Sequence, residues 1–136
     1  MEETLIVVML KDVDGFLDKE LGSYKVEDEH GYIYNTYAIE EDGKYMIYLK
    51  LTCDRDVDDW EFEAIYDYYD VQSLPDFVRS VKEVEDCYNP TWLVSFEFTK
   101  DESEMENRLQ SLLKAHQIEL NSVYEAIIDK KDEYDK

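Results

Sequence analysis

The chain has 136 residues, 44% of them hydrophobic and 36% charged, with 35 Asp and Glu against 14 Lys and Arg and a formal net charge of −21. This length suits a single domain over residues 1–136, and the hydrophobic fraction is that of a soluble globular protein with a core. The negative charge argues against direct binding to nucleic acid or to anionic membrane surfaces, and it favours a cationic partner.

The first 52 residues predict four strands joined by hairpin turns. These strands are Thr4–Leu10, Phe16–Val26, Tyr32–Glu40 and Lys44–Thr52. The turns fall at Asp14-Gly15, around His30-Gly31 and at Asp42-Gly43, because glycine supplies the positive φ that tight hairpins need. Gly22 lies in the middle of the second strand, where it predicts a β-bulge.

The apolar run Thr4–Leu10 is too short to cross a membrane as a helix. Its acidic flank and the lack of a small-residue cleavage site argue against a signal peptide, so we expect a cytoplasmic protein without membrane association. Cys53 and Cys87 are then expected to be free thiols, although a disulfide between them is the alternative that the sequence leaves open. No CxxC pair or Cys/His cluster is present, which argues against structural zinc.

The segment Asp59–Tyr69 predicts a fifth strand that pairs with Lys44–Thr52 through an acidic link. Its aromatic residues alternate with polar ones, the period of two that a half-buried strand shows. The alternating set is Trp60, Phe62, Ala64, Tyr66 and Tyr68. We expect the rest of the chain to pair with this hairpin or to pack on it.

The pattern changes after Asp70. A helix is predicted over Ser73–Asp86, with Ser73 as its N-cap, and a sixth strand over Thr91–Thr99. Asp101 then caps a long helix that runs to about Lys130, because apolar residues recur at spacings of three and four. A break in this helix near residues 117–121 is the alternative.

The element order β-β-β-β-β-α-β-α predicts an α+β fold. Short links make the first five strands an antiparallel meander, and the sixth strand joins the same antiparallel sheet. The long C-terminal helix is predicted to pack on one face of this sheet, because its apolar stripe needs a large partner surface.

No residue pattern indicates catalysis. The four glycines are all used by turns and a bulge, so neither standard phosphate-binding loop is present. His30 lies in a polar turn, and His116 lies on the apolar stripe of the last helix, where a hydrogen bond is expected to satisfy it. We therefore expect no catalytic residue and no cofactor, although an enzyme is not excluded.

The acidic run that opens at Asp54 resembles the start of a calcium loop. A calcium loop needs Gly at its sixth position and Glu at its twelfth, where this chain has Asp59 and Ile65. The favoured interpretation is a solvated link followed by an exposed polar strand face, where charge discourages aggregation at the sheet edge.

An interaction face is predicted from the 12 tyrosines, an unusually large number. Tyr48 and Tyr69 are expected on the sheet face that points away from the long helix, and carboxylates would surround them. The alternative is that the short helix or a curled sheet covers them. The candidate face comprises Tyr48, Asp54, Asp56, Asp58, Glu61, Glu63 and Tyr69.

Two classes of function remain open. The first is a non-enzymatic module that binds a basic or amphipathic protein or a second copy of itself. A variant is a nucleic-acid mimic, in which Glu61 and Glu63 project about 6.6 Å apart from one strand face. The second is a ligand-binding or enzymatic domain with a pocket between a curved sheet and the long helix, containing Tyr hydroxyls or Arg55.

The run Leu51–Phe62, together with Leu21-Gly22-Ser23-Tyr24 upstream, resembles a small family of acidic clostridial proteins of unknown function. The resemblance covers roughly the first half of the chain. It implies a bacterial cytosolic origin and brings no activity with it.

Overall fold

Six strands and three α-helices make up the protein, and the α+β class is confirmed. The computed structural model describes residues 3–28 and 30–134, and of Asp18 it describes the backbone only. The strands are β1 (Thr4–Lys11), β2 (Leu17–Val26), β3 (Ile33–Glu41), β4 (Lys44–Thr52), β5 (Val78–Glu83) and β6 (Thr91–Glu97). The helices are α1 (Asp59–Tyr68), α2 (Glu102–Ile127) and α3 (Lys131–Tyr134), and a 3-10 turn covers Val71–Ser73.

The sheet is mixed, so the predicted antiparallel meander is wrong. Its strand order is β2-β1-β3-β4-β6-β5. β1 and β3 run parallel through the pairs Met9↔Tyr37 and Leu10↔Ala38, while the other neighbours are antiparallel. After β2 the chain crosses to the opposite side of β1, which makes β3 point the same way as β1.

Residues 59–68 form α1, so the predicted fifth strand is wrong. Asp58 precedes the helix, and its backbone N–H donates to the Glu61 carboxylate at 3.0 Å, as in a capping box. Asp59 adds negative charge in the first turn, where the helix dipole favours it. Ala64 and Ile65 are both fully buried, which a strand cannot achieve with consecutive residues on one face.

Residues 78–83 form β5, so the predicted helix over 73–86 is also wrong. Val78 and Val81 both face the core, paired with Phe96 and Val94. Their helix-like spacing of three arises because the register shifts between Val78 and Ser80, which inserts one extra residue. Ser73 lies in the 3-10 turn, and its hydroxyl donates to the Asp70 carbonyl at 2.7 Å.

Several predictions of local structure are confirmed. β4 has the predicted bounds, and β6 ends at Glu97 instead of Thr99. α2 is continuous through residues 117–121, and the Asp101 side chain caps it by accepting from the Glu104 N–H at 3.1 Å. The bulge predicted at Gly22 is present as a register shift between Val8 and Met9 in the pairing of β1 with β2.

Both long helices pack on the same face of the sheet. Trp92 on β6 contacts Tyr66 and Tyr69 from the region of α1, with ring centroids 5.4 and 4.3 Å away, and His116 from α2 at 5.6 Å. The core lies between this sheet face and the helices. Its largest fully buried side chains are Trp92, Phe96, Ile47, Leu49, Leu51, Ile65, Met105, Leu109, Leu112, Leu120, Ile127 and His116.

Candidate functional site

The predicted interaction residues do not share one surface. Tyr48 lies on the sheet face that points away from the helices, where it was expected. Tyr69 is only 7% exposed and lies on the helical side, which corrects its predicted orientation. The five carboxylates lie together on the link before α1 and on α1 itself, and these are Asp54, Asp56, Asp58, Glu61 and Glu63.

Residues 54–70, the acidic segment, carry eight carboxylates and one cation, Arg55. Three of the carboxylates anchor the segment: Asp54 accepts from the Tyr124 hydroxyl at 2.9 Å, Asp56 from Asn89 at 3.1 Å, and Asp67 from the Tyr134 hydroxyl at 2.8 Å. The Arg55 guanidinium stacks on Tyr124, 3.6 Å from the ring centroid. These contacts fasten the acidic segment to its neighbours while its negative charge stays at the surface.

Two special roles were considered for the acidic segment, a calcium loop and a nucleic-acid mimic. No three His, Cys, Asp or Glu side chains within residues 3–28 and 30–134 are placed to hold a metal ion. Glu61 and Glu63 lie on a helix, where residues two apart diverge by about 200°. The strand spacing from which nucleic-acid mimicry was argued is therefore wrong.

His116 is fully buried and both its ring nitrogens are engaged. Nε2 lies 2.7 Å from the Thr52 carbonyl oxygen, so Nε2 carries the proton and donates it. Nδ1 then accepts from the Tyr69 hydroxyl at 2.8 Å. Burial lowers the pKa of the His116 imidazole to about 4 and raises the pKa of Tyr69. The predicted hydrogen-bonded histidine is confirmed, and it connects α2 to β4 and to the end of α1.

Both described cysteines are free thiols. Cys53 is buried, its sulfur lies 3.8 Å from the Pro90 carbonyl oxygen, and burial raises the pKa of the thiol to about 11. A thiol with so high a pKa is protonated at neutral pH and is a poor nucleophile. With both nitrogens of His116 occupied, Cys53 and His116 do not form a nucleophile–base pair.

The space between sheet and α2, where a ligand pocket was considered, is filled by core side chains such as Leu49, Phe96 and Leu112. Grooves lie at its margins instead. One of about 730 Å³ runs between β2 and α2, where its lining includes Lys25, Asp28, His30 and Lys114. Asp28 is held there by the backbone N–H groups of residues 32 and 33, at 2.9 and 3.0 Å. Arg55 does not line this groove.

The sheet face opposite the helices, here the open sheet face, carries a layer of apolar side chains. Cross-strand pairing puts Met9 beside Tyr37 and Ile39 beside Met46 on this face. Tyr37 and Tyr48 stack with ring centroids 5.6 Å apart. The apolar and aromatic members are Leu5, Val7, Met9, Tyr34, Tyr37, Ile39, Met46, Tyr48 and Leu93. Leu5 is 57% exposed and Val7 39%, so the edge of this layer is open to water.

The charge of the open sheet face is opposite in sign to that of the chain. Among the described side chains of its strands, six cations and three carboxylates lie on this face. The cations are Lys11, Lys25, Lys44, Lys50, Arg79 and Lys82, and the carboxylates are Glu20, Glu41 and Glu97. Glu97 pairs with Lys44 and Arg79 at 3.6 and 3.3 Å.

Two further cations of this face lie over aromatic rings. Lys11 lies over the Tyr37 ring, 4.7 Å from its centroid, and Lys50 lies 5.8 Å from that of Tyr34. Glu41 accepts from the Tyr48 hydroxyl at 2.7 Å, which raises the pKa of Tyr48 to about 12. The open sheet face is therefore an apolar layer bordered mainly by lysines.

Of the seven residues of the predicted interaction face, Tyr48 is the one that lies on the open sheet face. The period-two alternation of β1 and β4 predicts outward residues such as Val7 and Met46. The lysines gave no separate signal because the acids are far more numerous. Lysine or arginine stands at outward positions of four strands, β1, β2, β4 and β5.

No helix in the described ranges has the length and apolarity that a bilayer crossing requires.

Comparison with known proteins brings a family and no activity. No curated protein and no solved structure shows significant similarity to this chain. Residues 1–135 match DUF6762, a family of unknown function, which agrees with the resemblance to a family without assigned activity. The match extends over nearly the whole sequence, including β5, β6 and α2. The chain therefore belongs to this family of unknown function.

Proposed function

We propose that the chain is a non-enzymatic protein-interaction module, and that the open sheet face docks a partner protein with an apolar centre and an acidic border. The supporting observation is the apolar, cationic layer on a chain whose net charge is −21. Contiguous exposed apolar patches on soluble proteins are typical of interaction sites. Stacked tyrosines bordered by cations provide contact area and a charge preference together.

The chemistry of the buried groups supports a role without catalysis. His116 has no free nitrogen, and Cys53 is a buried thiol whose pKa is raised. The helical side is a filled core, and the groove between β2 and α2 lies at its margin. A binding role agrees with this arrangement.

The same proposal places the module in the cytoplasm as one domain. The free thiols Cys53 and Cys87 support a reducing compartment. One sheet and one hydrophobic core that includes residues from β1 to α2 support a single domain. A basic partner is expected from the net charge, and it would contact the acidic segment and not the open sheet face. The basic partner and the homodimer both stay predictions. The bacterial origin that the resemblance implies is also still a prediction.

A pair of matched variants tests the open sheet face. Val7→Glu places a carboxylate on this face, and Ile118→Glu makes a comparable change on α2, where Ile118 is 61% exposed. Both proteins should fold, because each site is solvent-exposed, and circular dichroism checks this. The measurement is chemical cross-linking in a cognate lysate followed by mass spectrometry of the linked peptides.

We expect one partner that wild type and Ile118→Glu retain and that Val7→Glu loses, with cross-links from Lys11, Lys50 or Lys82. A partner linked through residues 54–70 and unaffected by Val7→Glu would contradict the proposal. Failure to retain any protein with wild type would contradict it as well.

A further inference from the structure

We infer that the occupant of the open sheet face is an acidic amphipathic helix, an inference that rests on the proposed function. The side chains of this face form rows that run across the strands. The middle row, here the central track, comprises the uncharged residues Met9, Tyr37, Tyr48, Ser95 and Ser80, and it ends on β2 at Glu20, which pairs with Met9. Ser80 and Ser95 are joined by a hydrogen bond between their uncharged hydroxyls.

Cations flank the central track on both sides. On one side the pairing gives a row with Lys50, Leu93 and Lys82. On the other side it gives Ile39, Met46 and Glu97, with Lys11 at the β1 end, and Glu97 is paired with Lys44 and Arg79. Rows on one face of a sheet are about 6.6 Å apart, close to the 5–6 Å radius of a helix with its side chains. A helix on the track would therefore present one flank to Lys50 and Lys82, and the other to Lys11 and to the cations that surround Glu97.

The length of the central track suits one short helix. Five adjacent strands span about 19 Å at 4.8 Å each, which about 13 helical residues cover. The whole face measures roughly 24 by 20 Å, or about 480 Å². A standard stable interface buries about 800 Å² per partner, so a globular partner of ordinary footprint would overhang this face. An apolar stripe with acidic flanks fits it.

The edges of the sheet are poorly suited to an added strand, the other common mode of docking on a sheet. α2 holds part of the β2 edge: the N–H of Lys25 donates to Glu106 at 2.7 Å, and that of Glu27 to Gln110 at 2.8 Å. Gln110 also donates to the Glu27 carbonyl at 3.2 Å. The opposite edge, β5, has six residues and a register shift beside Arg79. The face is more accessible than either edge.

A second copy of the chain is a poor occupant. Two open sheet faces in contact would bring the lysine rows of each copy close to those of the other. The apolar stripes of α1 and α2 are already buried in the core, so neither helix can present one to a neighbour. The occupant is therefore a helix of another protein.

Salt should act on this contact in two directions. The acidic segment begins two residues after β4 and includes α1, which packs on the opposite face of the sheet, and at 0.15 M salt the Debye length is about 8 Å. At 0.01 M the Debye length is about 30 Å, and the net charge of −21 then repels an acidic helix. Affinity should be highest near physiological salt and fall on either side.

Two synthetic 16-residue helices test the inference by fluorescence anisotropy. Both carry the same leucine stripe, one with glutamates on its flanks and the other with lysines. At 0.15 M salt we expect the acidic peptide to bind about tenfold tighter than its basic twin. Lys50→Glu combined with Lys82→Glu should reverse this order. Lys114→Glu, on the exposed side of α2, is the control and should change neither affinity.

The outcomes separate the two proposals. If both peptides bind equally and Val7→Glu weakens both, docking on the open sheet face stands and the acidic helix is overturned. If Val7→Glu weakens neither peptide, or neither binds at millimolar concentration, both proposals fail. Dimerisation in sedimentation experiments that Val7→Glu abolishes would make a second copy the occupant and overturn the helix.

Discussion

The two faces of the sheet are built from the same strands and differ in burial and in charge. Leu49 faces the helices and is fully buried, while its neighbours Tyr48 and Lys50 face the opposite way and are partly exposed. The helical face is an uncharged core that includes one hydrogen-bonded histidine. The open sheet face carries cations beside apolar side chains. Stability is thus concentrated on one face, and the other is free to vary for binding.

The largest difference should appear between adjacent residues of β4. Leu49→Ala removes a fully buried side chain and should lower the free energy of unfolding by about 2–5 kcal/mol. Lys50→Ala, one residue along and on the open sheet face, should change it by about 0.5 kcal/mol or less. Urea denaturation measures both. Equal losses would show that the open sheet face is part of the core.

Acid should weaken the helical face through His116. Its pKa is about 4 in the folded protein against 6.5 for the free side chain, so the unfolded chain takes up a proton first as the pH falls. This contribution is fully present above about pH 6.5 and is lost progressively down to about pH 4. Between pH 7 and pH 5 it amounts to about 2 kcal/mol.

His116→Gln isolates this contribution from that of the carboxylates. The variant should be less stable than wild type at pH 7, because Gln cannot reproduce both hydrogen bonds. It should lose about 2 kcal/mol less than wild type on going to pH 5. Parallel stability curves for the two proteins would mean that His116 does not titrate in this range.

A smaller effect should come from the cap of α2. Asp101→Ala removes the acceptor of the Glu104 N–H and should cost about 1 kcal/mol. Asp101→Asn keeps an acceptor oxygen and should recover most of that loss. Thermal unfolding of the two variants measures it, and equal melting temperatures would argue against a capping role.

Val7→Glu should have the smallest effect on stability, about 0.5 kcal/mol or less, because Val7 is partly exposed on the open sheet face. If Val7→Glu abolishes docking and leaves the melting temperature unchanged, the face that binds the partner is not the face that stabilises the fold. A large fall in melting temperature would show that they do not.

Uninterrupted patterns made β4, β6 and α2 predictable. In β4 the fully buried residues Ile47, Leu49 and Leu51 alternate, in β6 Trp92, Val94 and Phe96 do, and the stripe on α2 has the spacing of a helix over its full length. Residues 59–69 misled because Trp60, Phe62 and Tyr66 are half-buried at the sides of a helix, which imitates an alternating strand. Val78 and Val81 misled because a bulge gave them a helix-like spacing.

The candidate site was only partly predictable. Alternation in β1 and β4 shows that one set of side chains points outward. It does not show that α1 joins α2 on the same face, and this placement is what leaves the other face open. Nor does any local pattern tell on which side of β1 the third strand will lie.

The side chains of Glu106 and Gln110 that hold the edge of β2 have a consequence for how the chain is made. A ribosome delivers the strand well before the helix that seals it, with some 80 residues between them along the chain. Protein synthesis adds about 5–20 residues per second, so the outer backbone N–H groups of β2 lack these partners for several seconds. For that interval the edge of β2 lacks the contacts from Glu106 and Gln110 that later cover it, and it is open to pairing with another chain.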